Sequence, residues 1–285
     1  MAEPEPAPRR VALVTGASRG IGKASAIHLA RRGFDVVAGA RTLHDGDARW
    51  EANDAIVVPG GLDTTVAAIE SEGTTGLAVR LDVLDRQSLL DAVDATIGRF
   101  GRLDVLVNNG VYQGAVQTQE FLGTDEDDLR RVFEGNVLAQ LALTRAALPY
   151  MFEQRGGTVI NMISAVAYTD PPGRIGEGGW GMSHAMSKAA FSRVAPMLHV
   201  ELGDRGIRFF SVDPGFVVTE KTEAIGAAEQ YTRHFRPATP PVIGAVVAWL
   251  ADDPDADALR GQVVFAQREC KQRGLLPGWP PPKES

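Results

Sequence analysis

Cysteine is nearly absent from these 285 residues, with Cys270 standing alone. A single thiol excludes an internal disulfide and any zinc or iron–sulfur site built on several cysteines. Long apolar runs are missing too, and the longest, Ala245 to Ala251, is far too short to cross a bilayer. Nor is there a basic excess. The 29 Lys and Arg face 36 Asp and Glu, a formal net charge of −7, which gives no support to nucleic-acid binding. The start, MAEPEPAPRR, is acidic and proline-rich and lacks the apolar centre of a signal peptide. A soluble, cytoplasmic protein is the expectation, with residues 1–9 as an unstructured tail.

The composition, 44% hydrophobic and 23% charged, is that of an ordinary folded chain. Short apolar runs at 10–15, 34–40, 77–83, 103–108, 158–163, 207–212 and 262–266 read as strands buried on both faces. Helical spacing fills the intervals at 21–32, 87–100, 126–151, 184–202 and 240–251. Seven strands alternating with helices predict one Rossmann-type, doubly wound α/β domain over 10–267, its parallel sheet covered on both faces. Residues 268–285 are expected to be a C-terminal tail. Two stretches interrupt the alternation, 42–61 and the Gly- and Pro-rich 169–182. Each reads either as a surface insertion or as a border of the ligand site, because both follow the carboxyl end of a strand.

Between the first strand and first helix runs Thr15-Gly16-Ala17-Ser18-Arg19-Gly20-Ile21-Gly22. Glycines there allow a tight turn and close approach of a pyrophosphate, which the helix N-terminus attracts through its free N–H groups and dipole. Placement between strand and helix makes this a dinucleotide fingerprint rather than a chance run of glycines.

Together with Asn108-Asn109, Ser164, Ser187-Lys188 and Pro214-Gly215 in this order, the turn resembles the short-chain dehydrogenases/reductases over about residues 10–266. The resemblance implies that Gly16, Gly20, Ile21 and Gly22 cradle the pyrophosphate and that Ser18 bonds a phosphate. It implies that Asp82 and Val83 contact adenine, that Asn109 and Gly110 lie along the ribose, and that Pro214, Gly215, Val217 and Thr219 hold the nicotinamide amide. It also implies that Asn136 supports a water in a proton relay, that Ser164 bonds the substrate oxygen, and that Lys188 holds the ribose hydroxyls and acidifies the catalytic group.

The pattern is broken in three places. Asn108-Asn109 is followed by Gly110-Val111 instead of Ala-Gly, and the last strand, VVFAQREC, lacks a glycine pair. Four residues before Lys188 stands His184, where the family carries its catalytic Tyr. One helical turn keeps both positions on the same face. Three readings stand side by side: a native His acid/base, a substitution that cripples a Tyr-dependent enzyme, and a nucleotide-binding relative without turnover. Imidazole is shorter than phenol, and misplacement on that scale costs about two orders of magnitude in rate. Tyr112 and Tyr168 are too far from the motif to take its place by sequence alone.

The second strand ends Gly39-Ala40-Arg41 without the carboxylate that NAD users normally place there, and Arg19 sits in the phosphate turn. Two guanidiniums suit a 2′-phosphate, so NADP(H) is the expected cofactor. Tyr112, Phe121, Tyr168, Trp180, Phe216 and Tyr231 suggest a fairly apolar site for a small carbonyl or alcohol. Apolar residues beyond one inward face, Leu138, Leu141, Leu143, Phe191, Val194, Met197 and Leu198, suggest a homotetramer or homodimer.

Overall fold

The computed structural model describes residues 9–50, 53–114, 119–175, 177–232 and 236–281. The expected N-terminal tail lies outside them apart from Arg9. The chain runs β1 (Val11–Thr15), α1 (Gly20–Arg31), β2 (Asp35–Ala40), the pair β3 (Arg49–Trp50) and β4 (Asn53–Val57), α2 (Leu62–Ser71), β5 (Gly76–Arg80), α3 (Arg86–Phe100) and β6 (Val105–Asn108). It continues through α4 (Glu126–Phe133), α5 (Ala139–Glu153), β7 (Gly157–Met162), α6 (Met182–Ser192), α7 (Val194–Leu202) and β8 (Ile207–Asp213). The last elements are α8 (Glu220–Ala224), α9 (Ala228–Thr232), α10 (Pro240–Asp252), β9 (Val263–Phe265) and α11 (Ala266–Arg273).

Seven strands form one parallel sheet in the order β5-β2-β1-β6-β7-β8-β9. Both faces are covered. Leu29, Leu62, Ile69, Val246 and Cys270 of α1, α2, α10 and α11 pack on one side. Leu89, Val93, Leu143, Met151 and Ala195 of α3, α5 and α7 pack on the other. This is why Ala12, Leu13 and Val14 are all fully buried and why the strands read as unbroken apolar runs. The chain winds outward through β2 and β5, then returns to place β6 beside β1. The reversal opens a crevice at the carboxyl ends of β1 and β6, the usual ligand position in such sheets.

Four local features depart from the sequence expectations. The helix expected over 126–151 is α4 and α5 joined by a π turn at Glu134–Leu138, a form of backbone that clusters at functional sites and here holds Asn136. The helix expected over 184–202 breaks at Arg193. Pro196 has no N–H for the Ser192 carbonyl, which instead accepts a long bond from the Ser211 hydroxyl at 3.5 Å. The 42–61 stretch contains the antiparallel β3–β4 pair. The expected tail from 268 is instead most of α11, whose Glu269 and Cys270 are buried, with Leu275, Leu276 and Trp279 packed against the core. Among the described residues, no helix is long and apolar enough to cross a membrane.

Candidate active site

The turn after β1 is fixed from below. The Thr15 hydroxyl donates to the Val107 carbonyl and accepts from the Asn109 and Gly110 amides at 2.9 and 2.8 Å. Asn109 Nδ2 donates to the Thr15 carbonyl at 2.8 Å. These bonds tie the ends of β1 and β6 together at the crevice. Gly16 turns the chain with φ +66°, a conformation costly for other residues. A Cβ on Gly22 would stand 2.2 Å from the Gly16 carbonyl oxygen, so α1 can sit this close to the turn only without a side chain there. Ser18 is buried and Ile21 half-buried beside it. Helix α1 has no side-chain N-cap and no acid in its first turn. The Gly20 N–H meets an anion all the same, donating to Glu220 Oε2 at 2.9 Å. A tight glycine cradle whose amide already binds a carboxylate suits a dinucleotide pyrophosphate.

Beside the turn, Arg19 Nε and Nη2 donate to the carbonyls of Pro59 and Gly60, both at 2.7 Å, and Nη2 reaches the Thr42 hydroxyl at 3.3 Å. Thr65, buried on α2, donates to the Ala17 carbonyl at 2.8 Å. The two ends of the 42–61 insertion therefore border the glycine turn after β1. Arg41 is exposed at the tip of β2. Asp82 folds its carboxylate back onto the Leu84 amide at 3.0 Å, and Val83 is buried.

Across the crevice, Pro214, Gly215, Val217 and Thr219 follow β8. Asp213 Oδ1 accepts from the Gly215 amide at 2.9 Å, while Gln267 Nε2 donates to the Pro214 and Phe216 carbonyls at 3.0 and 3.1 Å. Thr219 caps α8 in a reciprocal pair with Thr222, so its hydroxyl is engaged within its own helix.

The remaining residues meet where α6 packs against the π turn and the 165–167 turn. Asn136 Oδ1 accepts from the Tyr112 amide at 2.7 Å, and its Nδ2 approaches Ser187 Oγ at 3.4 Å. Ser187 in turn donates to the His184 carbonyl at 3.0 Å. Lys188 is buried, donates to the Met162 carbonyl at 2.7 Å, and is pushed down to about 8 by burial. His184 is pushed down to about 4, first by burial and then by the Lys188 charge, so its imidazole is neutral at neutral pH. Its Nδ1 is buried with no hydrogen-bond partner. Ser164 sits half-buried at the end of β7, heading the 165–167 turn.

The Tyr168 hydroxyl is engaged elsewhere: it is bound to Asp213 Oδ2, and burial together with that carboxylate pushes it far above the usual phenol value. Among the other aromatics, Phe121 is 67% exposed on a surface turn, Trp180 and Phe216 are half-buried, and the Tyr231 side chain lies outside the described residues. Three residues were invisible to motif reasoning. Gln140 holds the Gly110 and Gly135 carbonyls at 2.8 and 3.0 Å, Gln267 clamps the 214–216 loop, and Glu220 reaches α1. Gln140 lies one turn after Asn136 on the same helical face, and Gln267 lies just past the strand that lacked its glycine pair. Those were the available signals.

A family model described as short chain dehydrogenase matches residues 10–230. The chain is 36% identical over 266 residues to an uncharacterized oxidoreductase of Methylorubrum extorquens, over 90% of this chain and 96% of that protein. It is 30% identical to a 3-oxoacyl-(acyl-carrier-protein) reductase of Synechocystis, over 89% and 93% of the two. Among solved structures, a short chain dehydrogenase from Mycobacterium paratuberculosis bound to NAD aligns with a TM-score of 0.71 at 27% identity, covering 90% of this chain and 95% of that one. The protein belongs to the short-chain dehydrogenase/reductase family. It is a member of a family of oxidoreductases that bind a nicotinamide cofactor.

Proposed function

We propose that the protein is an NADP(H)-dependent oxidoreductase interconverting a carbonyl and an alcohol, with turnover held down by His184 in the acid/base position. The observation that carries this reading is Gly22 pressed against the Gly16 carbonyl at the end of β1, together with a buried Lys188 bound to the Met162 carbonyl at the end of β7. Gly16, Ser18, Gly20, Ile21 and Gly22 would hold the pyrophosphate, Arg19 and Arg41 the 2′-phosphate, and Asp82 and Val83 the adenine. Asn109, Gly110 and Lys188 would hold the ribose, and Pro214, Gly215, Val217 and Thr219 the nicotinamide amide. The bound nicotinamide supplies a hydride donor or acceptor for the substrate carbon.

Ser164 orients the substrate oxygen by a hydrogen bond. Lys188, still cationic at neutral pH, lowers the cost of negative charge on that oxygen. Asn136 holds the 112 backbone and the α6 turn in register. His184, neutral beside Lys188, is a weak proton donor to that oxygen. The unpartnered Nδ1 of His184 favours a second reading, a nucleotide-binding relative without turnover. The reductase named among the relatives supports a carbonyl substrate, and the half-buried Tyr112 and Phe216, on the loops after β6 and β8, support a fairly apolar one. A cytoplasmic location and a homodimer or homotetramer complete the proposal. Leu141, Val194, Met197 and Leu198 line a shallow apolar hollow with Arg193, and Leu138 is half-exposed nearby in sequence.

Side-by-side titration with NADPH and NADH, followed by kinetics on a carbonyl panel, tests the proposal. Tighter NADPH binding with slow reduction is expected. Equal or tighter NADH binding contradicts the phosphate assignment, and tight binding with no turnover on any substrate supports the second reading.

A further inference from the structure

Helix α8 bonds to the start of α1 and to the loop after β6. Thr219 and Thr222 cap each other and fix Glu220 as the first residue of the helix. From there the Glu220 carboxylate accepts the Gly20 N–H at 2.9 Å, a contact between residues 200 apart in sequence. The next side chain, Lys221, donates to Gln113 Oε1 at 2.9 Å on the loop after β6. The base of the segment is pinned by backbone bonds, Val218 N–H to Ala238 O at 3.0 Å and Ala238 N–H to Phe216 O at 2.9 Å. Helix α1 carries no acid of its own in its first turn and no side-chain cap. The anion its N-terminus favours is therefore supplied from α8.

We propose that Glu220 is an internal competitor for the cofactor pyrophosphate, so that α8 is a strap that must release α1 before the dinucleotide seats. The inference rests on the dinucleotide reading of the site. A carboxylate and a pyrophosphate cannot both take the Gly20 amide, and their like charges repel at close range. Apparent affinity is then the intrinsic affinity scaled by the fraction of molecules with the strap released. If that fraction is about a tenth, removing the carboxylate tightens binding about tenfold.

The test uses the full chain and three variants, Glu220→Ala, Glu220→Gln and Glu223→Gln, titrated with NADPH by fluorescence and with inorganic pyrophosphate by calorimetry. The Glu223 variant makes the same charge change on the same helix. Both Glu220 variants are expected to bind NADPH and pyrophosphate about tenfold more tightly, and Glu223→Gln to change affinity by less than about twofold. Equal gains at 220 and 223 overturn the proposal in favour of diffuse charge, and unchanged or weaker binding in the Glu220 variants overturns it outright. If neither the native chain nor any variant binds NADPH, NADH or pyrophosphate, the dinucleotide reading falls first and the strap with it.

Discussion

At the α1 end of the crevice, Thr15, Asn109 and Gly110 lock two loops together through hydrogen bonds of 2.8–2.9 Å, and Gly22 leaves no room for a methyl group. At the α6 end, one helical turn holds a cation whose bond goes to a backbone carbonyl and an imidazole nitrogen with no partner. The first region is closed by geometry and tolerates little change. The second is a buried polar cluster that is only partly satisfied, where such clusters carry a cost in stability and leave room for a different group. A β1 turn closed by geometry beside a partly satisfied polar cluster at His184 and Lys188 is, on the proposed reading, the arrangement expected of a chain that binds cofactor better than it turns over substrate.

The contrast can be broken at the α1 end first. Gly22→Ala forces a methyl against the Gly16 carbonyl, and overpacking of that kind costs about 1–3 kcal/mol. Dinucleotide affinity should fall about ten- to a hundredfold, read by NADPH titration. A variant that binds normally would show that the turn has slack and that the rigidity ascribed to it is wrong.

A smaller effect is expected at Arg41. Arg41→Ala removes one charge-assisted bond to a 2′-phosphate and should reduce the preference for NADPH over NADH about tenfold, leaving NADH affinity unchanged. A loss shared equally by both cofactors would assign Arg41 to general electrostatics instead.

A further effect concerns stability rather than binding. His28 and His184 are both lowered from 6.5 to about 4, His28 by burial and then by Arg31. Each takes up its proton more readily when unfolded. Their stabilising contribution is complete above about 6.5 and is lost as pH falls toward about 4. Thermal melts should therefore weaken steadily across that window, and His28→Gln should flatten part of the slope. A melting temperature independent of pH there would contradict the burial of both rings.

The seven-stranded parallel sheet and the β1 turn were legible because strands buried on both faces leave continuous apolar runs and a tight strand-to-helix turn needs glycine in fixed places. Leu13 and Gly22 carry that information locally. The α11 helix was missed because its sequence, AQRECKQR, is half charged and mostly polar, and only Ala266, Glu269 and Cys270 face inward. The break at Arg193 has its sign in Pro196, whose missing N–H leaves the Ser192 carbonyl without a helical donor. Glu220 and Gln267 act on segments that are distant in sequence, and a chain read in order carries no local sign of such pairs. The departure at His184 was visible as a letter, but its neutral state depends on burial that only the fold provides.

His184→Tyr tests the account most directly. NADPH affinity and carbonyl-reduction rate are measured together on the native chain and the variant, with a substrate the native chain reduces. The account predicts a rise in turnover of about tenfold or more with nearly unchanged NADPH affinity, because a phenol restores both reach and a donor that Lys188 can acidify. A slower Tyr variant would contradict it and make His184 the evolved acid/base.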